Sequence, residues 1–399
     1  MTEILFLAHR IPFPPDRGDK IRSFNVLRHL CQLTNVHLAC FADDDADAAH
    51  LAGLREALGG ALGEAHVEVR RTSRAAAGAR ALLTGKPVSL TLFDSGAMRG
   101  FAHRILARPE VGTAFAFSSQ MAQFVPPGTR LIMDFVDMDS AKFEAYADGG
   151  GPLASVHRRE ARRLFAFERE TAARAAFSLF VSDAEADLFR NRAALPQADI
   201  RALHNGVDLS FYRPGAVSPA SAPARPLIVF TGQMDYAPNT DAVAWFAREV
   251  LPQIPGAHFA IVGRSPTDVV KRLASERVTV TGAVPDTRAW LAAADVVAAP
   301  LRIARGVQNK VLEAMAMGRP VVASPAAFEG IEAEAGHDLL VADSAEDQAR
   351  AIRHLLSDPA RAAALGAAAR RRMEGAYSWD ARLAPLAALI RMSEHKAAA

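Results

Sequence analysis

The feature that most constrains the fold is an alternation kept from end to end. Short apolar runs rich in β-branched and aromatic residues are each followed by an amphipathic stretch with helical spacing. Runs that are apolar throughout belong to strands buried on both faces, so the pattern calls for parallel sheets covered by helices on both sides. In the first half the expected strands are Ile4–Ala8, Val36–Phe41, His66–Val69, Ala114–Phe117, Leu131–Phe135, Leu179–Ser182 and Ile200–His204. Residues 213–226 (RPGAVSPASAPARP) have no apolar period and several prolines, so they read as a linker. After it the alternation restarts with Leu227–Thr231, His258–Val262, Val278–Thr281, Val296–Ala299, Pro320–Ala323 and Leu339–Val341. Two helical stretches split near Asp358–Pro359 follow, and a last helix runs from about Ser378 to Met392. The expectation is an α/β protein of two doubly wound domains, 1–212 and 227–377, with ligands at the carboxyl ends of the strands in a cleft.

At 399 residues the chain exceeds what one core supports, which agrees with two domains. A formal charge of +2 gives no broad basic field for nucleic acid, so a small partner is expected. Cys31 and Cys40 have neither metal-ligand nor disulfide spacing and read as core residues in a reducing compartment. The opening MTEILFLAHRIPFPP lacks a small-residue cleavage pattern, and no stretch reaches the length of a membrane span. A cytoplasmic protein is expected.

The segment 300–324 (PLRIARGVQNKVLEAMAMGRPVVAS) carries the most chemistry. A buried strand leads into a loop with Arg302, Arg305, Gly306 and Val307, then a short helix with Lys310 and Glu313. The first amides of a helix lack internal partners and its dipole favours an anion, while residues three apart share a face. An ammonium beside a carboxylate suits a ligand that is a diphosphate at one end and a polyol at the other. The same pattern also fits a buried helix with Lys310 and Glu313 as a solvated pair. Other loops follow strand ends. Gly18 precedes a helix expected near Asp19, where it either admits a ligand or merely opens a helix that Asp19 caps. Gly232 and Gln233 follow the first strand of the second domain, Arg264 lies in GRSP, and Val284 lies in GAVPD before the N-cap Asp286. Turn chemistry alone also accounts for the last two.

The order of these loops with VSDAEA (181–186), NGVDLSFYRP (205–214), FTGQM, IVGRSP, GAVPD and KVLEAMAMGRPVVAS resembles family 4 glycosyltransferases of the GT-B fold over nearly the whole chain. The opening LFLAHRIPFPPDRGDKIRSFNVLRHL, with SSQMAQFV and DFVDMDSAKF, is similar to sugar transferases associated with exosortase and PEP-CTERM exopolysaccharide systems. The resemblance implies two Rossmann-like domains, with residues 378–399, including Trp379, returning to the first. It implies transfer of a sugar from a UDP- or GDP-sugar to a glycan or lipid-linked acceptor, with retention and no cofactor. No DxD pair with a matching metal context appears, and a cation with a helix N-terminus can do a metal's electrostatic work, so metal-independent transfer is expected. By the same match Glu313 would bind ribose hydroxyls, Lys310 and Arg302 the diphosphate, and Gly18, Gly232 and the loop at Val284 phosphate and base.

The family usually has a second glutamate where this chain has Arg305. Either Arg305 reads a different sugar, or backbone amides near Gly306 and the Phe328-Glu329-Gly330 loop hold it. In place of the family's first-domain histidine stand Asp134, Asp137 and Asp139, of which Asp137 is the expected pocket carboxylate, with an Asx turn as the plain alternative. The expected route is front-side attack in which the departing phosphate takes the acceptor proton and Asp137 assists. The helix expected over His157–Phe177 carries Arg158, Arg159, Arg162, Arg163 and Arg169 with Leu164, Phe165 and Phe167, interrupted by three glutamates. It reads either as a solvated helix or as a peripheral contact with the inner face of an anionic plasma membrane. A nucleotide-sugar epimerase of the same fold and a non-catalytic nucleotide-sugar-binding scaffold remain as alternatives.

Overall fold

The computed structural model describes residues 2–222, 224–303 and 307–396, side chains to Arg391, and divides into two compact units. One comprises residues 1–205 with 382–399, the other 206–381. Residues 206–226, read partly as first domain and partly as linker, thus fall with the second unit.

The first unit contains a seven-stranded parallel sheet in the order β3-β2-β1-β4-β5-β6-β7. Its strands are β1 (Glu3–Ala8), β2 (Val36–Ala42), β3 (Leu62–Val69), β4 (Val111–Phe117), β5 (Leu131–Val136), β6 (Phe177–Phe180) and β7 (Ile200–Ala202). The second unit contains a six-stranded parallel sheet in the order β10-β9-β8-β11-β12-β13. Its strands are β8 (Leu227–Thr231), β9 (His258–Val262), β10 (Val278–Gly282), β11 (Val296–Ala299), β12 (Val321–Ala323) and β13 (Leu340–Val341). This is the doubly wound architecture expected from the alternation. β1 and β8 are buried almost throughout, as strands covered on both faces must be. In both sheets the order reverses beside the first strand, between β1 and β4 and between β8 and β11, and each reversal opens a crevice at the carboxyl ends.

Local differences have local causes. The helix read over His157–Phe177 spans Ala154–Arg174, because the chain turns extended at Ala175 and Phe177 already opens β6. Asp19 does not cap its helix, which starts at Gly18 after an extended Arg17, but sits in the first turn. Asp286 does cap the helix Thr287–Ala293, accepting from the Arg288 amide at 2.8 Å. Cys40 is buried in β2 as read, whereas Cys31 is only partly covered.

Two buried polar links hold the first unit together. The Arg22 guanidinium of helix Gly18–Leu33 donates to both oxygens of Asp134 on β5 at 3.0 and 3.1 Å. It also donates to the Leu203 carbonyl and the Asn205 side chain, both at 2.8 Å. Both members of the pair are almost fully buried, so each depends on the other for compensation. Burial raises the Asp134 carboxyl, against the pull of Arg22. Farther along, the Glu168 carboxyl takes the Ser140 amide at 3.2 Å and its hydroxyl at 2.5 Å. Burial pushes Glu168 from its ordinary 4.5 up to about 8, against those bonds.

Replacing Arg22 with Met strands a buried carboxylate and is expected to cost about 3–5 kcal/mol in urea unfolding, with much of the loss recovered by Arg22→Met/Asp134→Leu. A folded-state value above the unfolded one means that Glu168 contributes its stability in full below about 4.5 and loses it as pH rises toward about 8. Glu168→Gln is therefore expected to flatten the decline of unfolding free energy between those values, a term whose slope approaches about 1.4 kcal/mol per pH unit.

Candidate active site

In the second unit the loops after β8, β9 and β10 and the helix Asn309–Ala316 enclose a cavity of about 510 Å3 at the reversal between β8 and β11. Gly232, Gln233, Arg264, Val284, Lys310 and Glu313, all expected from sequence, line it together. So do Tyr212, Thr231, Asn239 and Gly263, to which the sequence reading gave no role.

The floor of this cavity permits two backbones to touch. A Cβ built on Gly263, whose φ is +154°, would lie 1.6 Å from the Gly232 carbonyl oxygen. Only glycine fits there. A Cβ on Gly232 would meet the Asn239 amide nitrogen at 2.8 Å. The loop ends are then locked by Gly232 N–H to the Val262 carbonyl at 3.0 Å and Met234 N–H to that of Arg264 at 2.9 Å.

Lys310 and Glu313 project from one helix face, as spacing predicts, yet each has its own partner. The Lys310 ammonium donates to Asn239 Oδ1 at 2.5 Å and stands 4.8 Å from the centre of the Phe230 ring. Asn239 in turn donates to the Gln233 carbonyl at 2.9 Å, and Arg264 donates to the Gln233 side chain at 3.0 Å. Glu313 accepts from the Tyr212 hydroxyl. Burial pushes the Lys310 ammonium down to about 8, opposed by Glu313. It also raises the Glu313 carboxyl, opposed by Tyr212 and Lys310. A desolvated cation and a desolvated carboxylate thus share one concavity, where each interacts more strongly with a ligand than it would in water.

The remaining expected residues lie elsewhere. Arg302 does not line the cavity; its guanidinium is engaged by Asp241 at 2.6 and 2.9 Å on the exposed surface. Val307 stands beside Gly330, 3.4 Å from where a Cβ would be. Arg305 and Gly306 lie outside the described residues. Gly18 and Asp137 belong to the first unit. There a separate cavity of about 440 Å3 opens at the reversal between β1 and β4, lined by His9, Arg10, Asp19, Asp137, Asp139 and Lys142 among others. Nothing within 4 Å of Gly18 would oppose a Cβ, so packing does not require glycine there. Burial raises Asp139, whereas Asp19, despite burial, is held far below the usual carboxylate range by His9 and Arg10, the latter at 2.7 Å. Ser118 (φ +76°) and Val136 (φ +69°), both on this wall, adopt left-handed backbone that such residues rarely take.

Asn239 and Tyr212 carried a faint signal. Asn239 follows a strand-end glycine loop by seven residues, and Tyr212 sits in NGVDLSFYRP. Neither spacing reveals that the two side chains clamp Lys310 and Glu313.

The match to a known family lies in this same unit. Residues 225–358 match the family model described as Glycosyl transferases group 1. The chain is 31% identical over 197 residues to the D-inositol 3-phosphate glycosyltransferase of Rhodococcus opacus, covering 44% of either chain. It is 30% identical over 218 residues to a GDP-mannose-dependent alpha-(1-6)-phosphatidylinositol monomannoside mannosyltransferase of Mycobacterium tuberculosis, covering 49% of this chain and 57% of that one. The chain thus spans about half the length of the curated relatives it matches. Among solved structures, sucrose-phosphate synthase from Thermosynechococcus elongatus superposes with a TM-score of 0.61 at 17% identity, covering 99% of this chain and 100% of that one. Anabaena HepE in complex with UDP superposes with a TM-score of 0.62 at 16% identity, covering 98% and 100%. The chain therefore has the two-sheet GT-B fold of these structures, and its residues 225–358 match the group 1 glycosyl transferases.

Proposed function

We propose that the protein is a glycosyltransferase that takes a sugar from a nucleotide-diphosphate donor, held in the cavity of the second unit, to a glycan or lipid-linked acceptor. The observation that carries this is the convergence of Gly232, Asn239, Lys310 and Glu313 on one strand-end crevice, inside the segment that matches the group 1 family. The chemistry is complementary to such a donor. Lys310 supplies a point charge for the diphosphate, with Arg264 at the rim, while the Glu313 carboxylate and the Tyr212 hydroxyl suit a ribose diol. Gly232 and Gly263 let phosphate or base approach bare backbone. With Arg302 engaged by Asp241, the diphosphate contact rests chiefly on Lys310 in this reading.

Breaking the bond between sugar and diphosphate requires stabilising the leaving group's developing charge, and a fixed ammonium does so without reorganisation. In the proposed reaction the acceptor hydroxyl attacks the anomeric carbon on the face the phosphate leaves. The C–O bond to phosphate breaks, and the departing phosphate oxygen takes the acceptor proton, so the configuration is retained. The first unit's cavity, with Asp137 on its wall, takes the acceptor. Exopolysaccharide assembly remains the expected setting, because of the resemblance of the first unit's opening segments. GDP-mannose, named for the mycobacterial relative, and UDP-glucose are the first donors to try.

With each donor, release of free nucleotide diphosphate and a sugar–acceptor product unaffected by chelator supports metal-independent transfer. A changed sugar still attached to nucleotide supports an epimerase, and binding without turnover a scaffold. Lys310→Ala and Glu313→Ala are each expected to lower kcat/KM at least tenfold, about 1.4 kcal/mol; unchanged turnover in both removes the site. Because the ammonium loses its proton above about 8, affinity for UDP or GDP should hold steady just below that pH. It should weaken by up to about tenfold per unit above, a slope that calorimetry would find absent in Lys310→Met.

A further inference from the structure

The helix Ala154–Arg174 resolves differently in three dimensions than in sequence. Its three glutamates dilute its basic character on paper, but two of them, Glu160 and Glu168, are buried. Glu160 faces inward to take the Val88 and Ser89 amides at 2.7 and 2.9 Å, and Glu168 takes Ser140. The charged groups that the first half of the helix shows to solvent are therefore all positive. Arg158, Arg162 and Arg163 are exposed, and with Arg159 they fall on one side of the helix by their spacing.

An apolar tip adjoins this face. Arg159 reaches across to donate to the Ala81 carbonyl at 2.7 Å, fixing the helix to the end of helix Arg74–Thr84. That end carries Leu82 and Leu83, 72% and 87% exposed, followed by the exposed Lys86. Val156, one turn before Arg159, is half exposed as well. Leucines this bare are ordinary when scattered, but two in sequence beside a run of arginines form an amphipathic patch. The whole chain carries only +2, so this concentration of cations is local to the patch.

We infer that this surface docks on an anionic lipid bilayer, with Leu82 and Leu83 inserting at the headgroup boundary and Lys86, Arg158, Arg162 and Arg163 contacting lipid phosphates. Apolar insertion plus several cations is the combination that peripheral binding requires, since either alone is weak. No helix among the described residues is long and apolar enough to cross a membrane, so the contact is one of surface. The inference does not depend on the transferase reading, because its test reads binding and not turnover.

The whole chain is pelleted with vesicles of phosphatidylcholine, with and without about one-third phosphatidylglycerol, at low salt and at about 0.5 M salt. Binding only to the anionic vesicles at low salt is expected. Leu82→Ser/Leu83→Ser and Arg158→Gln/Arg162→Gln/Arg163→Gln should each weaken it by about tenfold or more with Tm unchanged. Leu83→Trp supplies a readout free of any folding defect in those variants, and its emission should shift to the blue on anionic vesicles. Absence of pelleting, wild-type binding by both variants, or no shift in Leu83→Trp overturns the inference. So does a dimer that the leucine variant dissolves, or tighter binding of a single-stranded oligonucleotide than of vesicles.

Discussion

The second unit's crevice depends on how a largely buried ammonium is kept. An amine taken out of water is costly unless its donors are met, and Lys310 meets them through Asn239 and the face of Phe230. Asn239 uses its other end on the Gln233 carbonyl, so a single amide ties the strand-end loop to the helix that bears the cation. The same loop is pinned by the contact of Gly232 with Gly263, where no side chain fits. Charge, loop and helix are thus fixed relative to one another before any ligand arrives. That is the condition for electrostatic stabilisation without reorganisation.

Much of this was readable in the residues. Every strand of both sheets lies within a few residues of an apolar run visible in the sequence, most plainly β1, β2 and β8, which are buried on both faces and have no polar face to blur the pattern. Gly232, Arg264 and Val284 were legible as strand-end residues and Lys310 and Glu313 as one face of a short helix, and they share one cavity. What was not legible depends on partners remote in sequence. Arg302 sits in the same loop as the expected phosphate contacts, but Asp241, from a different helix, holds it elsewhere. Tyr212 and Asn239 matter only because the fold carries them to Glu313 and Lys310. The burial of Glu160 and Glu168 was hidden for a similar reason. Helical spacing tells which residues share a face, and only packing tells which face turns inward.

The two sheets solve the same problem in the same way. Each reverses its order beside the first strand and leaves its crevice at the carboxyl ends, and the two crevices differ in what lines them. One is organised by a buried cation and a carboxylate on a short helix. The other is acidic and basic in close alternation, with Asp19, Asp137 and Asp139 facing Arg10 and Lys142. The fold supplies a place twice, and side chains decide what each place can hold.

The wall of the first unit's crevice is not an independent part. Asp134, whose Oδ1 takes one arm of Arg22, also accepts the Val136 amide on that oxygen at 3.1 Å, and the Val136 carbonyl takes the Val181 amide at 2.7 Å. Valine with positive φ pays a conformational penalty, and these anchors hold it there. The unit's deepest charge pair and the contour of its opening therefore form one mechanical assembly. Selection or engineering cannot reshape that rim by trading Val136 alone, since relaxing the backbone loosens a bond on a carboxylate in the core. Any new specificity on this side would have to come from side chains mounted on the frame, with the frame itself left standing.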